Sequence, residues 1–129
     1  MIALAHIFHL TQYRSLVVLA SRGPQSVAAL AEAVAVTPPT ASRLCERLVR
    51  KGLIRRREDS RDRRAVRLAL TESGRRLVDD VTERRRAEIA RLLESVPLDA
   101  QRALVAALQQ LAAAAGEVPE QEWTTGWDL

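Results

Sequence analysis

The sequence contains few aromatic residues and almost no cysteine. Of its 129 residues only four are aromatic, Phe8, Tyr13, Trp123 and Trp127, and Cys45 is the single cysteine. A core with so few aromatic side chains has to be built from Leu, Val and Ala, a composition that favours packed helices over sheets. One cysteine excludes an intramolecular disulfide. We therefore expect a mainly α fold in which Cys45 is a buried structural thiol.

Long apolar runs and targeting signals are also absent from the sequence. No segment has the eighteen or more uninterrupted apolar residues of a membrane span. Residues 1–10 are largely apolar but lack the basic start and the small-residue cleavage site of a secretion signal. We expect a cytoplasmic protein with no membrane partner. The length, with 47% hydrophobic residues, suits one compact unit with its own core.

The chain also lacks the sets of residues on which catalysis and metal binding depend. There is no Ser/His/Asp set, no Gly-rich phosphate loop and no pair of isolated carboxylates. His6 and His9 are three residues apart, but two ligands without an acidic or Cys cluster do not make a metal site. The sequence therefore predicts a binding protein with no catalytic residue, no metal and no other cofactor.

Positive charge is concentrated in one segment. Residues 43–67 contain eleven Arg or Lys and four acids, a net charge of +7, whereas the whole chain carries +4. The rest of the chain is therefore acidic on balance, and residues 116–129 have four acids and no base. A focused basic patch is typical of a surface that binds a polyanion. A solvated Arg-rich surface explains the composition equally well, so the positions of the charges have to decide.

Hydrophobic periodicity and capping residues predict five helices and one β-hairpin. Ser26, Thr37 and Thr71 are the expected N-caps, each with a side chain that accepts a bond from a free backbone amide. Gly52 is expected to end the third helix. The predicted helices cover residues 10–21, 27–35, 37–51, 72–94 and a last segment between Pro97 and Gly116, and the two strands of the hairpin lie within 53–58 and 65–70.

The second and third predicted helices have the arrangement of a helix-turn-helix, in which the later helix enters the major groove of DNA. On the third helix the apolar residues Ala41, Leu44, Cys45 and Leu48 share one face, and the opposite face is basic. A hairpin follows at once, which makes the unit winged. The residues predicted to contact DNA from the third helix are Thr37, Pro39, Thr40, Ser42, Arg43, Arg47 and Arg50.

Two of these assignments stay open at the level of sequence. Arg43 is placed to bond bidentately to a guanine or to clamp a phosphate, and we favour the base contact. Pro39 sits in the first turn, where it either approaches the DNA or only initiates the helix.

In the hairpin tip, Arg61, Arg63 and Arg64 are placed to reach the adjacent minor groove, unless one of them pairs with Asp59 or Asp62.

Several of these stretches resemble the MarR (multiple antibiotic resistance regulator) family of winged-helix repressors over roughly residues 10–115. The stretches are Leu10-Thr11-Gln12-Tyr13-Arg14, Ala29 to Ala33, Thr37 to Leu44, Leu48 to Ile54, and the wing from Asp59 to Arg64 followed by Leu70-Thr71-Glu72-Ser73-Gly74. The wing pattern D-x-x-D-R-R with the following L-T-x-x-G is the most specific of them.

The resemblance implies a winged helix-turn-helix lobe over 10–71, with the recognition helix at 37–51 and the wing at 53–70. It also implies a helical dimerisation region from 1–9 and 72–115, followed by the acidic tail 116–129. In the wing it implies that Asp62 and Arg64 form a stiffening ion pair. Only nine residues precede Leu10, where the family has a full helix, so we expect a shortened first dimerisation helix.

The function implied is that of a transcriptional repressor, a homodimer that binds double-stranded DNA at a palindromic operator. A small lipophilic or aromatic-acid effector is a further expectation from the family. A rival interpretation is an interaction subunit that does not bind DNA and antagonises a full-length regulator by forming heterodimers with it.

Three features outside the lobe bear on assembly. Leu104, Leu108 and Leu111 recur at the spacing of a helix-helix seam, which predicts a dimer interface. Trp123 and Trp127 pack either on a partner or back onto their own helices, and we favour the dimer interface for Trp123. Arg84 to Arg86 either extend the DNA surface or pair with acids within helical reach, and we expect the second.

Overall fold

The computed structural model describes residues 2–59, 61–62 and 65–123, with side chains from His9 onward. The secondary-structure elements are helices at both ends of the chain with a β-hairpin between them, as the sequence predicts. The elements are α1 (Ile2–Arg22), α2 (Val27–Ala33), α3 (Pro38–Arg50), β1 (Ile54–Glu58), β2 (Val66–Leu70), α4 (Glu72–Leu93), α5 (Leu98–Ala114) and a short 3-10 helix, Glu120–Glu122.

Helix α1 is longer than the periodic pattern alone predicts, and residues 2–9 are helical as the family resemblance implies. The periodic pattern indicated a start at Leu10, whereas the helix begins at Ile2 and is continuous through that position. Residues 2–9 are almost all apolar and contain neither Gly nor Pro. Such a run has no polar face from which a period can be read, yet nothing in it interrupts a helix. The helix ends at Arg22, before Gly23 with a φ of 77°.

Helices α2 and α3 form the predicted helix-turn-helix. The hydroxyl of Ser26 accepts a bond from the Ala29 amide at 3.1 Å and caps α2. In the turn, Ala35 adopts a φ of 57°, which lets the Val36 amide donate to the Ala31 carbonyl at 3.0 Å. After α3, Gly52 has a φ of 71°, a value that glycine adopts without a Cβ clash. The predicted end of α3 is therefore confirmed.

The hairpin is a two-stranded antiparallel sheet in which Ile54 pairs with Leu70 and Glu58 with Val66. Leu68 of β2 also exchanges backbone bonds with Gln25, at 3.0 Å and 2.7 Å. The hairpin is thus tied on its second side to the segment between α1 and α2. Because Ile54 and Leu68 are both buried, the base of the wing belongs to the core of the lobe.

The core lies entirely within the lobe made by α1 to α3, the hairpin and the start of α4. Its fully buried side chains are mainly leucines, with Ile54, Cys45 and Val78 between them. Helix α5 contributes none of the core residues, and apart from half-buried Gln101 all its residues are exposed. The chain therefore consists of a packed lobe, to which the start of α4 belongs, and of a helix α5 with no buried residue.

Candidate nucleic-acid interface

Helix α3 separates its apolar and basic residues as the sequence predicts. Ala41, Leu44, Cys45 and Leu48 are each at most 1% exposed and anchor the helix in the core. The opposite face is open, and the predicted contact residues on it are exposed, with the exception of half-buried Thr40. These residues are Thr37, Pro39, Thr40, Ser42, Arg43, Arg47 and Arg50.

The first turn of α3 differs from the prediction in one bond. Thr37 is the N-cap, but its side chain makes no bond to a backbone amide. Instead its hydroxyl lies 2.9 Å from the hydroxyl of Thr40. Pro38 and Pro39 occupy the first two helical positions and lack an N–H, so fewer amides need a cap. The two hydroxyls therefore form a small exposed polar pair at the amino end of the recognition helix.

The carboxyl end of α3 is held by a contact that the sequence did not indicate. The ammonium of Lys51 donates to the Gln12 side-chain oxygen at 3.0 Å, and Gln12 is 7% exposed. A buried amide that accepts a charged donor makes one of the stronger hydrogen bonds. The Lys51–Gln12 hydrogen bond thus fixes the carboxyl end of the recognition helix to α1, in addition to apolar packing.

The wing is stiffened by Asp59. One carboxylate oxygen accepts from the Arg61 backbone amide at 3.0 Å, and the other accepts from Arg67 Nε at 3.0 Å. Arg67 in turn reaches the Pro24 carbonyl at 3.4 Å. Arg67 also stands directly opposite Arg57 in the hairpin, a pairing of like charges that disfavours the sheet unless a carboxylate offsets it.

These bonds lower the pKa of Asp59, chiefly through the Arg61 amide and then through Arg67. A depressed pKa means that the interaction is fully present above the ordinary carboxyl range and is lost only as pH falls through the lowered value. The wing is therefore held in the same way throughout the neutral range.

The other predicted wing residues are described only in part. Arg61 is exposed and its backbone is fixed by Asp59. Arg63 and Arg64 lie outside the described residues, so the predicted Asp62–Arg64 pair stays a prediction. Asp62 accepts a bond from the Ala65 amide through its backbone carbonyl at 3.0 Å, which closes the tip.

The sequence predicts a stiffening ion pair between Asp62 and Arg64, but it does not predict the pair between Asp59 and Arg67, where the strands meet the tip. Position 67 is polar in an alternating strand, and nothing in the pattern shows that it reaches back to Asp59. The like-charge register with Arg57 is the only available signal, and it requires the strand pairing to be known.

Cys45 is a buried thiol, as expected. Burial raises its pKa, and this outweighs the opposing effect of nearby Arg56. A thiol with a raised pKa is a weak nucleophile, which argues for packing as its role. Among the described residues no group of three or more His, Cys, Asp or Glu could hold a metal ion. None of the helices in the described part of the chain is long and apolar enough to cross a membrane.

An open cavity of about 780 Å³ lies between α1 and α4. Its wall is largely apolar, with Leu10, Val17 and Ile89 among the lining residues, and Tyr13 and Trp123 add aromatic surface. Three arginines, Arg14, Arg85 and Arg86, are also among the lining residues, and we call them the cationic rim. The cavity therefore combines an apolar interior with a cationic rim.

In the arginine run on α4, Arg86 pairs with an acid within helical reach, as expected, whereas Arg85 makes a different contact. Arg86 pairs with Glu83 at 2.5 Å, one helical turn away, and with Glu120 at 2.8 Å. Arg85 stacks over the Tyr13 ring, with its guanidinium carbon 4.9 Å from the centroid. Both side chains are therefore engaged at the cavity.

The predicted seam residues are exposed on α5. Leu104, Leu108 and Leu111 are 47%, 52% and 65% exposed. Trp123 folds back onto its own chain, where it packs against the core cluster and donates from Nε1 to the Val118 carbonyl at 2.9 Å. This is the alternative that the sequence left open, and a role of Trp123 in a dimer stays a prediction. Trp127 lies outside the described residues.

The fold defines a winged helix-turn-helix protein. The family model for the MarR family matches residues 8–66. The crystal structure of RV1404 from Mycobacterium tuberculosis is 40% identical, with a TM-score of 0.80, and the match covers 84% of this chain and 74% of that one. YkoM, an HTH-type transcriptional regulator of Bacillus subtilis (strain 168), is 27% identical over 105 residues, 81% of this chain and 68% of YkoM.

A mutant of MepR from S. aureus, solved bound to an oligodeoxyribonucleotide, is 27% identical, with a TM-score of 0.61 and coverage of 81% of this chain and 78% of that one. The chain belongs to the MarR family and is a transcriptional regulator of the winged-helix type. Members of this family are in general DNA-binding proteins without enzymatic activity.

Proposed function

We propose that the chain is a repressor that binds a palindromic operator in double-stranded DNA as a homodimer. The observation that carries this proposal is the division of α3 into a buried apolar face and an exposed face with Arg43, Arg47 and Arg50. A recognition helix needs this division, because one face must be rigidly anchored while the other meets base edges. The MepR mutant solved with an oligodeoxyribonucleotide, which shares the fold, supports DNA as the partner.

Within this proposal the exposed residues divide by role. Arg43 reads a base, because it lies early in α3 and its side chain has no partner among the residues that the structure describes. Thr37, Pro39, Thr40 and Ser42 allow close approach of the first turns, and Arg47 and Arg50 contact phosphates. From the wing, Arg61, whose backbone is held by Asp59, reaches the minor groove together with Arg63 and Arg64.

Ligand control is the second part of the proposal. The cavity between α1 and α4 suits a small lipophilic or aromatic acid, because its interior is apolar and its rim is cationic. Tyr13 lines it and is the neighbour of Gln12, which binds Lys51 at the end of the recognition helix. A ligand that shifts α1 therefore shifts α3, and with it the spacing of the two recognition helices, which must match about one turn of DNA.

The test is fluorescence anisotropy of labelled palindromic duplexes over a series of salt concentrations, with Arg43→Ala and Arg102→Ala as a matched pair. Arg102 is an exposed arginine on α5, outside the lobe. We expect a steep loss of affinity with salt. Arg43→Ala should weaken the preferred site by about fivefold to a hundredfold and flatten the sequence preference, whereas Arg102→Ala should have little effect.

Two outcomes contradict the proposal. If Arg43→Ala behaves like Arg102→Ala, then α3 does not read bases through this residue. If the wild-type chain has no salt-dependent affinity for duplex DNA, the interaction-subunit interpretation is favoured instead.

A further inference from the structure

The segment Glu117–Trp123, which we call the strap, returns from the end of α5 to the cavity between α1 and α4. Gly116 has a φ of 71°, and the Gly116 and Glu117 amides bond to the Ala113 and Ala112 carbonyls at 3.1 Å and 3.0 Å. This pattern of bonds is a Schellman motif, which ends a helix and turns the chain sharply. The strap is therefore directed back by local geometry.

Two carboxylates of the strap bind the cationic rim of the cavity. Glu117 pairs with Arg14 of α1 at 2.8 Å, and Glu120 pairs with Arg86 of α4 at 2.8 Å. The bond with Glu120 is the main cause of the raised pKa of Arg86. Trp123 closes the strap against the cavity wall. The strap thus pairs its two carboxylates with arginines that line the cavity and adds one aromatic ring to the cavity wall.

An aromatic acid carries the same kinds of group as the strap, namely a carboxylate and an aromatic ring. A carboxylate that enters the cavity meets the same guanidinium groups that Glu117 and Glu120 already occupy. We propose that the strap is an intramolecular competitor for the cationic rim, so that an organic anion binds the cavity only as Glu117 and Glu120 release Arg14 and Arg86. The inference rests on the proposed ligand control and assigns to it a built-in opposing element.

The ion pairs of the strap are weak enough for a bound anion to displace Glu117 and Glu120. The four paired side chains are between 41% and 55% exposed, and an exposed ion pair changes an equilibrium by about fivefold at most. Two such pairs are strong enough to raise the ligand concentration that is needed, and weak enough to be replaced. A strap that was fully buried would exclude the ligand altogether.

The test is a titration of the full-length chain with 1-anilinonaphthalene-8-sulfonate, an aromatic sulfonate whose fluorescence rises in apolar sites. In the double variant Glu117→Gln/Glu120→Gln we expect affinity for this probe to rise roughly five- to twentyfold. The matched control is Glu32→Gln/Glu122→Gln, which removes the same charge. Neither Glu32 nor Glu122 forms an ion pair within the described residues, so its affinity should stay within about twofold of wild type.

Two further measurements separate binding of the probe to the arginines from release of the strap. Arg14→Gln/Arg86→Gln should lose most of the probe affinity, since the cationic rim is removed. Hydrogen exchange of residues 117–123, followed by mass spectrometry, should accelerate when the probe binds to wild type, because the strap is released. The rest of the chain serves as the internal control.

Several results would overturn the inference. Equal probe affinity in wild type and in Glu117→Gln/Glu120→Gln, or no change in strap exchange on binding, would show that the strap does not compete. A probe affinity that changes with protein concentration would assign the cavity to a second copy of the chain. The titration contains no DNA, so a failure of operator binding would overturn the proposed function without affecting this test.

Discussion

Gly74 lies at the closest approach of α4 to the backbone that precedes the wing. A Cβ placed on it would overlap with the carbonyl oxygen of Leu53 and would lie 3.1 Å from the Leu70 side chain. Its backbone amide also donates to Thr71 at 3.1 Å. The glycine of the L-T-x-x-G stretch is therefore needed for space. Gly52, in contrast, is needed for its positive φ and has nothing within 4 Å.

The two glycines allow a matched experiment. We expect Gly74→Ala to lower the free energy of unfolding by about 3 kcal/mol or more, because a rigid carbonyl has to move. Gly52→Ala should lower it by about 1 kcal/mol, the conformational penalty alone. Urea unfolding followed by circular dichroism measures both. A loss in Gly74→Ala no larger than in Gly52→Ala would mean that α4 moves away from Leu53 at little cost.

Single residues also show where sequence analysis reaches its limit. The positions of Arg43 and Cys45 follow from helical periodicity, because a period of 3.6 assigns each residue a face. The bonds from Lys51 to Gln12 and from Arg67 to Asp59 do not follow, since each partner is chosen by tertiary packing or by strand register. Periodicity thus predicts which residues form the exposed face of a helix. The contacts that fix the helix and the wing in position are known only from the structure.

At the scale of elements, the two threonine N-caps are chemically alike but structurally different. The Thr71 hydroxyl accepts from the Gly74 amide and donates to the Gly52 carbonyl at 2.6 Å, so it joins α4 to the end of the recognition helix. The Thr37 hydroxyl contacts only the Thr40 hydroxyl among the bonds that the structure describes. Both were expected from sequence to cap a backbone amide, and only Thr71 does so.

This difference predicts unequal effects of the same substitution. Thr71→Ala should lower the free energy of unfolding by about 1 to 2 kcal/mol, because it leaves an amide and a carbonyl without their partner. Thr37→Ala should change it by less than about 0.5 kcal/mol, as for an ordinary surface site. Thr71→Ser keeps the hydroxyl and should recover most of the loss in the same urea experiment. Equal losses at positions 71 and 37 would contradict the assignment.

Helix boundaries were predictable where a capping or terminating residue marks them, and they were not predictable elsewhere. Ser26 before α2, Gly52 after α3 and Gly116 after α5 set boundaries that the structure has within a residue or two. The start of α1 that periodicity predicts was wrong by eight residues, because the first turns carry neither a cap nor a polar face. The path of the strap was unpredictable for a related reason, since residues after 116 have no period.

For the whole molecule, the projecting helix α5 raises a question of stability. Helix α5 has 17 residues, and most helical stability in proteins comes from burying an apolar face. The lobe does not bury this face, since Leu104, Leu108 and Leu111 are about half exposed or more. Leu92 of α4 is a further exposed apolar residue, at 65%. A second copy of the chain is the occupant that the proposed palindromic operator requires.

We therefore expect the wild-type chain to sediment as a dimer and Leu108→Glu to sediment as a monomer, because a carboxylate at the centre of the seam loses its hydration without gaining a partner. Gln109→Glu introduces the same charge one position further along the helix, away from the leucine stripe, and should remain dimeric. In anisotropy titrations Leu108→Glu should lose affinity for a palindrome far more than for a single half-site, since the lobe itself stays folded. A monomeric wild-type chain, or a Leu108→Glu variant that remains dimeric, would show that α5 does not form the interface and that two-fold operator binding has to be built from another surface.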